Sequence, residues 1–175
     1  MVGEQAFRDL MAAVCAQVTV VTAAEDGPHG STVSAFASLS LRPPMITVAL
    51  DRGSRTLGPI LRTGRFGVNV LGHGQAEIAR LFARPSADRA DRFAAADWHY
   101  DHGLPRLAGA PAWLVCDLAQ AVEGGDHLLL LGAVGEAAAR TAPPLLYGHR
   151  AYGTHSGFAS RPRRPIDDLI AACSH

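Results

Sequence analysis

Short apolar runs alternate with turn-forming clusters along the chain, and no single periodicity lasts for long. Residues 7–16 (FRDLMAAVCA) space Phe7, Leu10, Met11 and Val14 along one helical face and predict a short amphipathic helix. Residues 18–23 (VTVVTA) are dominated by β-branched side chains, which suit a pleated backbone, and predict a strand. Residues 25–30 (EDGPHG) are a turn by composition, with Gly27 and Gly30 free to take positive φ. Residues 31–40 alternate small polar and apolar side chains and predict a second strand. Pro43 and Pro44 end it, since proline cannot donate to a ladder. Residues 45–50 and 66–71 predict two further strands, the first apolar enough to be buried. Between them residues 55–63 predict a short helix with Ser54 as N-cap. Residues 75–83 place Ile78, Ala79, Leu81 and Phe82 on one helical face, and Pro85 stops that helix.

The second half is less even. Residues 86–109 read as a charged, loop-like stretch containing DRF at 91–93 and WHYDH at 98–102. Residues 113–122 and 128–138 predict two long strands joined by EGGDH at 123–127, a hairpin by its glycines and aspartate. Residues 144–153 predict a last short strand. The tail is Pro/Arg-rich at 160–165 and has a terminal helical pattern at 166–172. About six to seven strands with a few short helices, and no repeated strand–helix alternation, predict a mainly β fold. The architecture expected is an antiparallel barrel with helical insertions, one domain over residues 1–158 and a tail over 159–175.

Composition narrows the function classes. A chain of 175 residues that is 48% hydrophobic and 18% charged can bury a core as one domain. Net charge is zero, pI is about 7.1, and no basic stripe offers a nucleic-acid surface. Cys15, Cys116 and Cys173 are odd in number and far apart, which suggests no disulfide framework and fits a reducing compartment. Neither a signal peptide nor an apolar run of membrane-spanning length is evident, so the expectation is a soluble, cytoplasmic protein with no membrane partner.

Three segments could carry chemistry. The run 31–44 (STVSAFASLSLRPP) sets small hydroxylated and small apolar residues along one edge. That suits a flat, polar-rimmed heteroaromatic ring, though close packing against another element would need the same residues. DRGSRT at 51–56 precedes a helix; Ser54, Thr56 and helix amides could receive a phosphate, with Arg52 or Arg55 supplying charge. An ordinary N-cap with solvated arginines reads equally well. His127 in the 123–127 hairpin sits beside Asp126 and could bond a nicotinamide amide, or be a plain turn histidine. His99 and His102 lack partners at metal-ligand spacing, and neither classical nucleotide-binding loop nor a nucleophile elbow is present.

In order and spacing, VTVVTA, GSTVSAFASLSLRPP, DRGSRT, FGVNVL, RLFA followed by DRF, and GGDHLLLLGAV ending in LLYGHRAYG resemble the short-chain flavin reductase family. Those proteins are FMN-binding split barrels that serve two-component flavin monooxygenases. The resemblance implies a six- to seven-stranded antiparallel Greek-key split β-barrel and an NAD(P)H:flavin oxidoreductase that supplies free reduced FMN or FAD to a partner monooxygenase. It implies that Thr32, Val33, Ser34, Ala35, Ser38, Leu39 and Ser40 line the isoalloxazine and ribityl part of the flavin. Ser54, Arg55 and Thr56 would form the phosphate side, Phe82 would border the flavin, and Tyr152 would lie in a closing Arg-x-Tyr element. His127 would face the nicotinamide as the catalytic-site residue; separately, the absence of lysine or a clear arginine cluster near that hairpin favours NADH over NADPH. Family members are usually homodimers with flavin near the subunit interface. Gln17 departs from the pattern, where a glycine is more common.

Two other readings compete with the reductase. One is a flavin- or haem-binding split barrel acting as a carrier or sensor; the other is a flavin-dependent oxidoreductase with its own organic substrate. The GDH hairpin, which a mere binder does not need, separates the first from a reductase.

Overall fold

The computed structural model describes residues 2–84, 89–155 and 157. The tail expected at 159–175 lies outside the described residues. An N-terminal helix α1 (Glu4–Ala12) and a short β1 (Ala16–Gln17) lead into β2 (Thr19–Ala24), β3 (Pro28–Val33), β4 (Phe36–Leu41) and β5 (Pro44–Asp51). Helix α2 (Leu57–Thr63), β6 (Arg65–Val70), α3 (Ala76–Ala83) and α4 (Arg89–Ala94) follow. Then come β7 (Trp98–Asp101), β8 (Leu104–Leu107), β9 (Ala112–Gly124), β10 (His127–Ala139), β11 (Leu146–Gly148) and β12 (Ala151–Gly153).

Seven strands form one antiparallel sheet in the order β3-β2-β6-β9-β10-β5-β4. Its edges, β3 and β4, are consecutive in the chain and joined only by Ser34 and Ala35. Three Cα steps reach at most roughly 11 Å, whereas the edges of a flat seven-stranded sheet would stand about 29 Å apart. The sheet therefore curls until its edges meet. It is a split barrel, and the Ala49 amide donates to Ala35 O at 2.9 Å, carrying the β4–β5 pairing one residue into the connector.

That seam corrects the single strand expected over residues 31–40. Val33 is buried and Phe36 packs against the same core, a spacing of three that a continuous strand of period two cannot bring to one face. The strand is interrupted at Ser34-Ala35 instead. The stretch 86–109, expected as loop, holds α4 and the β7–β8 hairpin. Its two-residue turn is His102-Gly103, with φ of 49° and 78°, the left-handed pair that a tight hairpin requires. Histidine in that position gives no turn signal. Helix α2 begins at Leu57 with Thr56 as its cap residue, and Ser54 Oγ accepts from the Thr56 amide at 3.3 Å. The strand expected at 144–153 is a hairpin of β11 and β12.

The barrel interior is filled by Val21, Val48, Ile60, Phe66, Val68 and Leu130, all completely buried. A second cluster, including Val20, Leu71, Phe82, Phe93 and Leu145, packs α3 and α4 against the outside of β2. Gly67 is obligatory between β2 and β9: a Cβ there would lie 2.2 Å from the Trp113 ring. Gln17 has found work of its own, its side-chain amide donating to Leu71 O and Leu145 O at 3.1 Å each.

Candidate cofactor site

A cavity of about 540 Å³ opens where the seam of the barrel meets α3 and α4. One wall is the end of β3 and the connector, from Ser31 through Thr32, Val33 and Ser34 to Ala35. The end of β5 and the loop after it supply Asp51, Gly53, Ser54 and Arg55. Phe82, Arg84 and Arg92 close the far side, and His127 enters from the start of β10.

Small residues give this cavity its room, and their hydroxyls are partly committed. Thr32 Oγ1 donates to Ala79 O at 2.6 Å, tying β3 to α3. Ser31 Oγ shares hydrogen bonds with Thr56 Oγ1 at 2.8 Å and Ser54 Oγ at 3.2 Å. Thr56 is itself buried and does not line the cavity; it holds Ser31 and Ser54 in place. Gly30 lets the aromatic wall come close, because a Cβ there would stand 2.8 Å from the Phe82 ring. Phe82 stacks edge-on against Phe93, with centroids 5.0 Å apart.

Charge is distributed unevenly around the rim. Arg55, Arg84 and Arg92 line the cavity against one carboxylate, Asp51, whose Oδ1 already accepts the Gly53 amide at 2.6 Å. Arg92 is buried, donates to Arg84 O and Gly30 O, and leaves its Nε without a partner among the described residues. Burial, with Arg55 adding repulsion, lowers the pKa of its guanidinium below the usual arginine value. A buried, under-bonded cation beside two further cations is an arrangement that an anion would complete. Reading the sequence missed Arg84 and Arg92, because the second lies in the stretch taken as loop. Gly30, expected in a turn, lies instead inside β3, where a glycine marks a close approach by another element.

At the other end, His127 Nδ1 bonds Asp126 Oδ1 at 2.8 Å, and that bond holds the Asp126 carboxyl below its ordinary range. Nε2 is then the ring nitrogen left for a ligand. Not every expected residue joins the cavity. Ser38, Leu39 and Ser40 lie on β4 at an irregularity in the ladder, with Leu39 exposed, and none lines it. Tyr152 stands apart too, tilted on Tyr147 at 5.0 Å and facing the Arg80 guanidinium at 5.1 Å. Burial raises its phenol pKa.

A second cavity of about 610 Å³ lies between α1 and the seam, lined by Phe7, Met11, Val14 and Tyr147. Ser34 and Ala35 wall both cavities. Among the described residues no cluster of His, Cys, Asp and Glu could hold a metal ion, and no helix is long and apolar enough to cross a membrane.

Residues 11–156 match the family described as flavin reductase like domain. The chain belongs to that family. This flavin reductase-like chain is 42% identical over 148 residues to the reductase component of 4-nitrophenol 4-monooxygenase/4-nitrocatechol 2-monooxygenase from Rhodococcus opacus, covering 84% of this chain and 78% of that one. It is 34% identical over 170 residues to the flavin-dependent monooxygenase reductase subunit HsaB of Mycobacterium tuberculosis, covering 94% and 89%. It spans only 42% of a probable flavin reductase of Rhizobium meliloti. Among solved structures, the NADH:FAD oxidoreductase SgcE6 of Streptomyces globisporus with NAD and FAD fragments superposes with a TM-score of 0.83. Identity there is 30%, with 89% of this chain and 96% of the other covered. The split barrel expected from the sequence is thus the fold of the flavin reductase-like family.

Proposed function

We propose that this chain is an NAD(P)H-dependent flavin reductase that passes reduced flavin to a separate monooxygenase. The observation that carries the reading is one cavity with a cationic end at Arg55, Arg84 and Arg92 and an imidazole end at His127. A flavin phosphate answers the unpartnered Arg92 Nε. The small wall at Ser34 and Ala35 leaves space for a flat ring, and Phe82 and Val33 supply apolar contact. When bound, the flavin accepts the hydride that the nicotinamide donates. The protein's part is to hold the reactants together and exclude water, which is why no nucleophile or metal is called for.

In this reading Ser31, Ser54 and Arg55 stand at the phosphate side, and His127 bonds the nicotinamide amide through Nε2. Relatives that are reductase components of monooxygenases support delivery of reduced flavin to a partner. Self-association into a homodimer is supported by α1, which has no buried residue and leaves Phe7, Leu10 and Met11 exposed. On β4 Leu39 and Leu41 are exposed as well, so the seam residues that miss the cavity would face a second copy. Free Cys15 and Cys116 suit a reducing cytoplasm.

The test is a steady-state matrix of FMN and FAD against NADH and NADPH. The expected outcome is rapid nicotinamide oxidation that depends on added flavin, with NADH preferred. Absence of turnover in all four combinations would overturn the reductase reading. Replacing His127 by alanine should raise KM for NADH about tenfold with flavin Kd nearly unchanged, as loss of one positioned hydrogen bond predicts.

A further inference from the structure

The two arginines of the DRGSRT segment have different destinations. Arg55 lines the cavity, whereas Arg52 does not and turns to the 123–127 hairpin. There its Nε donates to Gly125 O at 2.9 Å, and its Nη2 meets Glu123 Oε2 at 3.0 Å. The Arg52 main-chain amide adds a third bond, to Asp126 O at 3.0 Å. One residue thus grips the hairpin on its β9 side, at its turn and at the residue preceding His127. The turn it grips is tight: Gly124 pairs with His127, leaving Gly125 and Asp126 as the turn, with Gly125 at φ 70°.

We propose that Arg52 is a positioning residue that orients His127 for the nicotinamide nucleotide without touching any ligand. The inference rests on the reading of His127 given above. A hairpin tip is the part of a sheet that frays most readily, since nothing pairs beyond it. Here the tip carries the imidazole, and its orientation depends on where the Asp126 carboxylate is held. The pairing of His127 with Asp51 fixes the base of the tip, and Arg52 bridges the tip itself to the end of β5. Arginine suits this because a rigid planar fork spans a carbonyl and a carboxylate at once, which a lysine ammonium at a single point cannot do.

Both partners are solvent-exposed, so the effect is on orientation and not on global stability. Arg52→Met should raise KM for NADH about three- to tenfold, with kcat, flavin Kd and Tm nearly unchanged. Arg52→Lys, keeping the charge without the fork, should fall between wild type and R52M. In a His127→Ala background, R52M should add nothing, because the group it acts through is gone. In the flavin-free protein, the imidazole nitrogen spectrum of His127 should show less of the Nδ1–H tautomer in R52M than in wild type. An equal rise in KM with His127 present or absent overturns the proposal, and so does an unchanged imidazole spectrum. If H127A raises KM and R52M does not, Arg52 alone is excluded; if H127A leaves KM unchanged, the nicotinamide role of His127 falls and this inference with it.

Discussion

Arg92 shows how much one side chain can say about a ligand. Arg92 is 8% exposed, its Nε has no partner among the described residues, and its charge is disfavoured by burial and by Arg55. Folding tolerates such a residue only where something else repays it. Replacement by methionine keeps the stem and deletes the charge. Flavin affinity should fall about ten- to a hundredfold, the worth of a hydrogen bond to a charged group, while Tm of the flavin-free protein holds or rises. Equilibrium titration and thermal melts read the two together; equal losses of both would mark Arg92 as scaffold. The sequence did not disclose this residue. It stands 62 positions from Gly30, whose carbonyl it meets, and no local pattern links the two. His127 and Arg55 were legible because each sits in a turn whose glycines or helix start advertise it. Ser38 to Ser40 had the right composition for a ring-binding edge, yet the break at Ser34-Ala35 carries them out of the cavity.

Among the elements, the strongly patterned strands were readable and the β7–β8 hairpin was not. Strand β2 is buried along nearly its whole length and β5 at alternate residues; β-branched content identified the first and apolar content the second. Strands β7 and β8 are four residues each, and a half-buried ion pair helps to join them. Arg106 Nη1 donates to Asp101 Oδ2 at 2.6 Å, and that bond, ahead of any other cause, lowers the Asp101 pKa. A depressed carboxyl stabilises the fold above its unfolded pKa, near 4, and loses that contribution as pH falls through the folded value. Asp101→Asn should therefore cost about 1 kcal/mol near pH 7. The two proteins should converge in stability in acid, below the depressed pKa. Denaturant midpoints at both pH values test this, and a constant gap would show that the ion pair is not its source. The hairpin matters to the site because Trp98 stacks on Phe93, which in turn braces Phe82.

For the whole molecule, the question is what covers α1. Phe7 is 57% and Leu10 64% exposed, on a helix that contributes nothing to either core. Leu10→Asp should shift the protein from dimer to monomer in sedimentation, without loss of the barrel's circular dichroism. A monomeric wild-type protein at micromolar concentration would contradict the proposed pairing. The barrel's closure was only half legible: strand number and antiparallel sense follow from pattern, but no local pattern shows that the edges of the sheet are consecutive strands. Those two residues, Ser34 and Ala35, have a thermodynamic consequence. They wall the proposed flavin cavity and the α1 cavity alike, so in the proposed dimer flavin occupancy and self-association would act on the same pair of residues. Linkage is reciprocal: whatever factor assembly adds to flavin affinity, flavin returns to assembly. Flavin affinity measured across a protein dilution series would then report dimer dissociation, and the seam would be the place where concentration is sensed.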